Sequence, residues 1–389
     1  MLLVLVPVAL ATLVGLVVLW PGDGPTRAQQ AADQAFLPGT TFPDARVVRV
    51  DLPASCAPSQ PCVGTAVVEV LEGPGQGDFQ QIELPPEVVG EGLEEGDGVV
   101  LSRDAGADGG PNYQFADYER KLPLTALAVG FAVCTAVVAR LRGVASLLGL
   151  GFAFFILLKF VLPGILAEGS PTLVTLVGSS AIMFVVLYLA HGFSARTTTA
   201  LIGTLFGLAL VAVLGSVAVA AARLTGLTSE DTVTISTYDP TLNFSGLVLA
   251  GVVVAGLGVL NDVTITQASA IWQLKEASPE TTWGQLYKRG MAIGRDHIAS
   301  TVYTLVFAYA GAALPLLIIF DLNPRPWVVT ITSSTVGEEV VRTLVGSIAL
   351  VLAVPVTTAV GAFFATAAAS QAGGAPERRI TALRERLAR

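Results

Sequence analysis

Runs of about 20 apolar residues recur along this chain, and each run is long enough to cross the hydrocarbon core of a bilayer. Only 13% of the residues are charged, about half the share of a typical globular domain, and the mean hydropathy is +0.69. The sequence therefore predicts an all-α transmembrane helix bundle of about eight spans and excludes an ordinary soluble protein. The expected spans are Leu2–Trp20, Leu122–Ala139, Ala145–Leu166, Leu173–Ala190, Thr198–Ala222, Leu247–Trp272, Ile298–Phe320 and Val340–Ala369.

The first run fits either a cleaved signal peptide or a membrane anchor. It lacks a positively charged segment before the apolar residues and stays apolar for about 19 residues, which favours an uncleaved anchor at residues 1–21.

Basic residues fall in alternate connections between the spans, which the positive-inside rule places in the cytoplasm. Both termini are then cytoplasmic, and residues 371–389 form a basic cytoplasmic tail. The connections near Glu168, residues 228–243 and residues 321–339 carry few basic residues and are expected outside. The cytoplasmic basic residues are Arg140, Arg142, Arg196, Lys275, Lys288, Arg289, Arg295, Arg378, Arg379, Arg384, Arg386 and Arg389.

Residues 33–120 form one polar segment, which this orientation places outside the membrane. Short runs such as ARVVRVDL, GTAVVEVLEG, FQQIEL and GDGVVLS alternate or are β-branched, with Gly and Pro between them. The pattern predicts a small all-β domain of about five strands, OB-like, inserted between the first two spans. Cys56 and Cys62 lie in this segment, on the oxidising side of the membrane, where a disulfide between them is expected.

Composition also limits the partners and cofactors. A formal charge of −8 argues against nucleic acid as a partner, since phosphate binding needs clustered Lys and Arg. With three Cys and two His in the chain, no metal site and no cofactor are expected. The expected partner is the lipid bilayer.

One acid lies deep in an expected span. Asp262 is close to the midpoint of Leu247–Trp272, and an ionisable group at that depth is a functional candidate. Its helix face carries small residues, so we expect it to turn toward the bundle interior. The next span begins with GRDHIASTVYT and has a matching polar face. The expected proton or ion relay comprises Asp262, Asn261, Thr266, Thr301, Thr304 and His297, and the expected cytoplasmic gate comprises Arg295, Asp296 and Arg196; the alternative for the gate is helix caps and topology anchors.

Three blocks of the sequence, HGFSARTTTALIGTLFG, GLGVLNDVTITQASAIWQLKEASP and GMAIGRDHIASTVYTLVFAYAGAALPLLIIF, resemble the YibE/F family of bacterial polytopic membrane proteins. The resemblance covers the expected seven-span bundle at residues 122–370 and implies a location in the bacterial plasma membrane. That family usually has Met-Asp at Asn261-Asp262 and Lys at Arg196, so this chain keeps the acid and the positive charge. The family implies no particular activity.

A weaker similarity links LNDVTITQASAIWQLKE and the span after it to the RND permeases and the SecD/SecF subunits, in which a pair such as Asn-Asp lies within a span. This chain has more spans after its outer domain than half of such a permease. The similarity implies that Asp262 binds and releases a proton during transport.

Three classes of function follow from these features. The first is a secondary transporter driven by an ion gradient, acting as a homo-oligomer or with a paired YibE/F homologue, with its substrate unspecified. The second is a membrane scaffold or sensor whose outer β domain binds an envelope partner. The third, an intramembrane aspartyl protease, needs two carboxylates at one site, and no second acid lies deep in any expected span. We therefore expect no enzyme activity and no catalytic residues.

Overall fold

A computed structural model describes residues 2–22, 24–35, 39–53, 62–105, 110–167, 169–322 and 326–387, with side chains to residue 368. The chain divides into two compact units. One unit contains residues 28–138, and the other contains residues 1–27 together with residues 139–389.

The structure is mostly helical, with five strands near its start. The described helices and strands are, in chain order, α1 Leu2–Val18, α2 Arg27–Ala35, β1 Asp44–Asp51, β2 Gly64–Val70, β3 Phe79–Leu84, α3 Pro86–Glu91, β4 Gly98–Ala105, β5 Pro111–Tyr118, α4 Lys121–Ile156, α5 Leu162–Leu166, α6 Pro171–His191, α7 Ala195–Ala221, α8 Glu230–Tyr238, α9 Phe244–Ala277, α10 Trp283–Ala312, α11 Leu314–Leu322, α12 Trp327–Ile331 and α13 Ser334–Leu387, with a π-helical turn at Leu157–Val161 between α4 and α5.

The five strands form one antiparallel sheet in the order β3-β2-β1-β4-β5. The edge strands β3 and β5 also contact each other, so the sheet is nearly closed into a barrel. Along β2 the even-numbered side chains are buried and the odd-numbered ones less so, as a strand with one core-facing side requires. The prediction of a small all-β domain with about five strands is confirmed.

The long helix α4 continues through the π-helical turn into α5, so that Lys121–Leu166 spans 46 residues. At 1.5 Å per residue it would measure about 69 Å, more than twice the thickness of a bilayer core. Its backbone leaves the helical region at Arg140, where φ is 57° and ψ is −134°. The break falls between the two predicted spans Leu122–Ala139 and Ala145–Leu166, next to the paired cations Arg140 and Arg142.

Five described helices are long and apolar enough to cross a membrane, or six if α10 and α11 count as one span bent by 66°. The first of the five is Lys121–Leu166. The other four are α6, α7, α9 and the Ser334–Ala368 part of α13, and each matches a predicted span. Helix α1 is apolar but shorter. The apolar helices are those of a membrane protein, while the number of eight spans stays a prediction.

Within the larger unit, α9 packs against α6, α7, α10 and α13. Two glycines of α7 receive large side chains of α9. A Cβ atom at Gly207 would lie 2.5 Å from a methyl carbon of Leu260, and one at Gly215 would lie 2.5 Å from a methyl carbon of Leu249. Gly207 and Gly215 therefore serve close helix packing.

Candidate functional site

Helix α9 places Asp262 near its middle, on the side that is exposed. The opposite side carries Leu260, Val263 and Gln267, which are buried against neighbouring helices. Gly258, one turn before Asp262, is also exposed and has open space where a Cβ atom would be. The prediction that Asp262 turns toward the bundle interior is therefore wrong, because the bulky side of α9 fills the interior.

The hydroxyl groups of the expected relay donate to their own helices. Thr266 Oγ1 lies 2.7 Å from the Asp262 carbonyl oxygen, Thr301 Oγ1 lies 2.9 Å from the His297 carbonyl oxygen, and Thr304 Oγ1 lies 3.2 Å from the Ser300 carbonyl oxygen. The side-chain oxygen of Asn261 is buried without a partner. Across the described part of the chain, no hydrogen bond joins these side chains to the Asp262 carboxylate.

The expected gate residues do not form a cluster of ion pairs. Arg295 and Asp296 are exposed on α10, and Arg196 is half-buried in the first turn of α7. No ion pair links these three residues, all of which are described. Among the disulfide candidates, Cys56 lies outside the described residues, so its pairing with Cys62 stays a prediction. Glu168, Arg325 and Arg389 also lie outside the described residues.

A buried polar contact that the sequence analysis missed joins α9, α10 and α13. Gln267 is 1% exposed, and its Nε2 atom donates to the Gly290 carbonyl oxygen at 2.9 Å and to Thr358 Oγ1 at 2.7 Å. One turn earlier on α9, the hydroxyls of Thr264 and Thr204 on α7 lie 2.6 Å apart. The signal for this contact in the sequence is the polar run TITQAS, of which the expected relay includes only Thr266.

A cavity of about 380 Å³ lies where α8, α9, α10, α11 and α13 meet, at the end of α9 away from Lys275. We call it the Glu338 pocket. Its ionisable lining residues are Glu338, Glu339 and Arg342 from the first turns of α13, and Tyr309 from α10. The expected start of the last span at Val340 leaves both glutamates in a loop, whereas α13 starts at Ser334.

The Glu338 side chain is buried, with 8% of the residue exposed. Its Oε2 atom accepts a hydrogen bond of 2.9 Å from Thr228 Oγ1, while its Oε1 atom is buried without a partner. The Nε atom of Arg342 is likewise buried without a partner. The Arg342 Nη2 atom lies 3.6 Å from Glu339 Oε1, a distance too long for a strong hydrogen bond.

Arg342 connects the pocket to the exposed side of α9. Its guanidinium covers Gly251, where a Cβ atom would lie 3.3 Å from Nη1. Gly251, Gly258 and Asp262 share one side of α9, and 11 residues separate Gly251 from Asp262, or about 16 Å along the helix. One end of this small-residue face therefore lies at the Glu338 pocket, and the carboxylate lies farther along it.

A broken helix forms one wall of the pocket. Helix α10 ends at Ala312 and α11 starts at Leu314 with a bend of 66°. Beside the bend, a mainly apolar cleft of about 250 Å³ runs between α10, α11 and α13 and shares Tyr309, Ala313, Leu316 and Glu339 with the pocket. Broken helices at membrane depth are tolerated where protein or a cavity surrounds the freed backbone groups.

Comparison with known proteins gave one family. The family model described as YibE/F-like protein matches residues 127–367, which include every residue of the Glu338 pocket and of the Asp262 face. No curated protein matches the chain, and no solved structure matches it. The similarity to RND and SecD/SecF proteins stays a prediction.

Proposed function

Because the chain belongs to the YibE/F-like family and carries several membrane-length apolar helices, we propose that it is a multi-pass membrane permease driven by an ion gradient. Asp262 is its proton-binding group. In this proposal the protein lies in the plasma membrane with both termini in the cytoplasm and residues 33–120 outside. Its assembly is a homo-oligomer or a pair with a YibE/F homologue.

The observation that carries the proposal is an exposed carboxylate at the middle of a membrane-length helix. An ionised carboxylate in contact with lipid costs at least a few kcal/mol, whereas contact with water removes that cost. The free-energy cost of an ionised carboxylate at Asp262 therefore depends on whether water or lipid covers this side of α9. A conformational change that alternates the two environments binds and releases a proton.

Two neighbouring features support transport. The Glu338 pocket lies at one end of the Asp262 face, and its wall includes the bend between α10 and α11. Movement of a charge through the membrane potential is worth about 2.3 kcal/mol per 100 mV. The bend between α10 and α11 already interrupts the helix. A movement of α11 against α10 would therefore change the backbone of only a few residues, as hinges between rigid elements do.

The test is a charge measurement on proteoliposomes adsorbed to a solid-supported membrane. A pH jump is applied to wild type, to Asp262→Asn and to Glu276→Gln. Glu276 is an exposed acid at the end of the same helix, so its variant controls for the loss of one carboxylate from α9. We expect a transient current in wild type and in Glu276→Gln, and at least a tenfold smaller current in Asp262→Asn. Equal currents from wild type and Asp262→Asn would show that Asp262 is not the proton site.

A scaffold or sensor is the second candidate, and a cleft on the β unit favours it. The cleft, of about 550 Å³, lies between β3 and β5 and is lined by polar side chains, among them Gln81, Glu83, Asn112 and Gln114. In this case the outer domain binds an envelope partner and the helices anchor it. The same recordings separate the two candidates, because a scaffold gives no transient current even as wild type.

A further inference from the structure

The Glu338 pocket contains a buried acceptor and a buried donor that have no partner. They are Glu338 Oε1 and Arg342 Nε. Four residues separate the two side chains on α13, so both lie on one side of that helix, about 6 Å apart along its axis. A buried polar atom without a hydrogen bond costs about 1–3 kcal/mol, and more if the group is charged. Both side chains line the cavity, so a guest that reaches these atoms with a donor and an acceptor would satisfy both of them.

The charges of the two groups narrow the class of that guest. A simple cation would pair with Glu338 but would leave Arg342 Nε without an acceptor. A simple anion would pair with Arg342 but would be repelled by Glu338 and Glu339. A molecule with an ammonium group at one end and an acidic group at the other satisfies both residues with charge-assisted hydrogen bonds, which are about twice as strong as neutral ones.

The adjoining cleft adds an apolar requirement. It shares Ala313 and Leu316 with the pocket and is also lined by Ala310 and Leu344. Few polar groups line it, so an apolar chain placed there would be removed from water, at about 25 cal/mol for each Å² buried. The polar part of a guest therefore fits the pocket while its apolar part fits the cleft.

We propose that the Glu338 pocket binds a zwitterionic amphiphile. The ammonium group contacts Glu338, the acidic group contacts Arg342 and the apolar chain occupies the cleft between α10, α11 and α13. Two sources share this chemistry: an aminophospholipid, and an apolar amino acid in solution. The binding site does not require transport or proton exchange at Asp262.

The test measures the thermal unfolding midpoint of the full-length protein in detergent during titration with three probes. The probes are short-chain phosphatidylethanolamine, phosphatidylglycerol of the same chain length, and L-leucine. Phosphatidylglycerol has the same phosphate and chains as phosphatidylethanolamine but no amine. We expect a concentration-dependent rise in the midpoint with phosphatidylethanolamine if the source is a lipid, or with L-leucine if it is an amino acid, and no comparable rise with phosphatidylglycerol.

Two variants locate the binding. Glu338→Gln keeps an acceptor for Thr228 but removes the charge, and we expect its affinity for the effective probe to fall at least tenfold. Ala310→Phe fills the apolar cleft and leaves the charged groups intact, so it tests the chain site even if Glu338→Gln does not fold. We expect Ala310→Phe to lower the affinity for the effective probe as well. Glu276→Gln, which removes an exposed acid that lines neither the pocket nor the cleft, is the control and should bind as wild type does.

Three results would overturn the proposal. One is the absence of any midpoint shift with both phosphatidylethanolamine and L-leucine, which would show that the pocket binds neither source of the proposed guest. Another is an equal shift with phosphatidylglycerol, which would remove the role of the ammonium group. The third is unchanged affinity in both Glu338→Gln and Ala310→Phe, which would place binding elsewhere.

Discussion

The contact between α7, α9 and α13 at Gly203 predicts a large effect from a single methyl group. A Cβ atom at Gly203 would overlap the hydroxyl oxygen of Thr357 and lie 3.1 Å from its Cβ atom, with a methyl carbon of Thr264 at 3.3 Å. Both threonines are fully buried, and the Thr357 hydroxyl donates a hydrogen bond of 2.8 Å to the Ala353 carbonyl oxygen, so moving it away costs a buried hydrogen bond. We expect Gly203→Ala to force α7 away from its two neighbours.

The size of the effect follows from two opposing contributions. Overpacking of a filled core costs about 1–3 kcal/mol, while replacement of Gly by Ala within a helix gains up to about 1 kcal/mol. Gly258→Ala on α9 is the matched control, because it brings the same helix gain into open space. The difference in unfolding free energy between the two variants isolates the overpacking cost, so we expect Gly203→Ala to be about 1–3 kcal/mol less stable than Gly258→Ala.

The assay follows tryptophan fluorescence of the purified protein during titration with a denaturing detergent. Thr357→Ala removes the overlapping hydroxyl. Measuring it alone and together with Gly203→Ala gives a double-mutant cycle. Residues in direct contact show interaction energies of about 0.5–3 kcal/mol, so Thr357→Ala should restore part of the stability lost by Gly203→Ala. Equal stability of Gly203→Ala and Gly258→Ala, or strictly additive effects of Gly203→Ala and Thr357→Ala, would refute the close packing at Gly203.

Two further predictions concern single side chains. Gln267→Leu keeps a similar volume but removes the hydrogen bonds to Gly290 and Thr358; at roughly 0.6 kcal/mol for each bond in a membrane we expect a loss of about 1 kcal/mol in the same assay, with exposed Gln273→Leu on the same helix as an unchanged control. In the β unit, the backbone N–H of Tyr118 and the guanidinium of Arg120 lower the pKa of Asp117. Its contribution to stability is thus present above the unfolded pKa of about 3.9 and is lost as the pH falls through the lower folded value. The thermal midpoint should therefore fall less between pH 5 and pH 3 in Asp117→Asn than in wild type, and an equal fall would contradict this reasoning.

The sequence predicted the strands and apolar helices well because these depend on local patterns. Strand β2 alternates buried and less buried residues as its β-branched run indicates. The break at Arg140 coincides with the paired cations that separate two expected spans. The prediction of about eight spans used only the length and hydropathy of each run, and five described helices are long and apolar enough to cross a membrane.

The orientation of α9 could not be read from its own residues. Small residues permit close approach, but they do not say which helix approaches. The glycines that determine the packing belong to α7, where Gly207 and Gly215 receive Leu260 and Leu249. The large side of α9 therefore turns inward, and its small side with Asp262 stays exposed. Only the three-dimensional pairing of two helices distant in sequence contains this information.

The Glu338 pocket was missed because of a boundary error of six residues. Hydropathy starts the last span at Val340, since two adjacent glutamates depress the average, but the helix already begins at Ser334. Once residues 334–342 are helical, Glu338 and Arg342 lie on one side of α13, one turn apart. Helix ends are set by local hydrogen bonds and tertiary contacts that a hydropathy window does not contain.

The packing of leucines of α9 over glycines of α7 also affects how these two helices can move. Leu260 packs into the space at Gly207 and Leu249 packs into the space at Gly215. The two leucines lie about 16 Å apart along α9. Sliding either helix along its axis would push these leucines against the larger side chains next to each glycine. A close-packed interior resists such overlap. We therefore expect α7 and α9 to move together as one body, and the bend between α10 and α11 is the place where the helices of this unit are already interrupted.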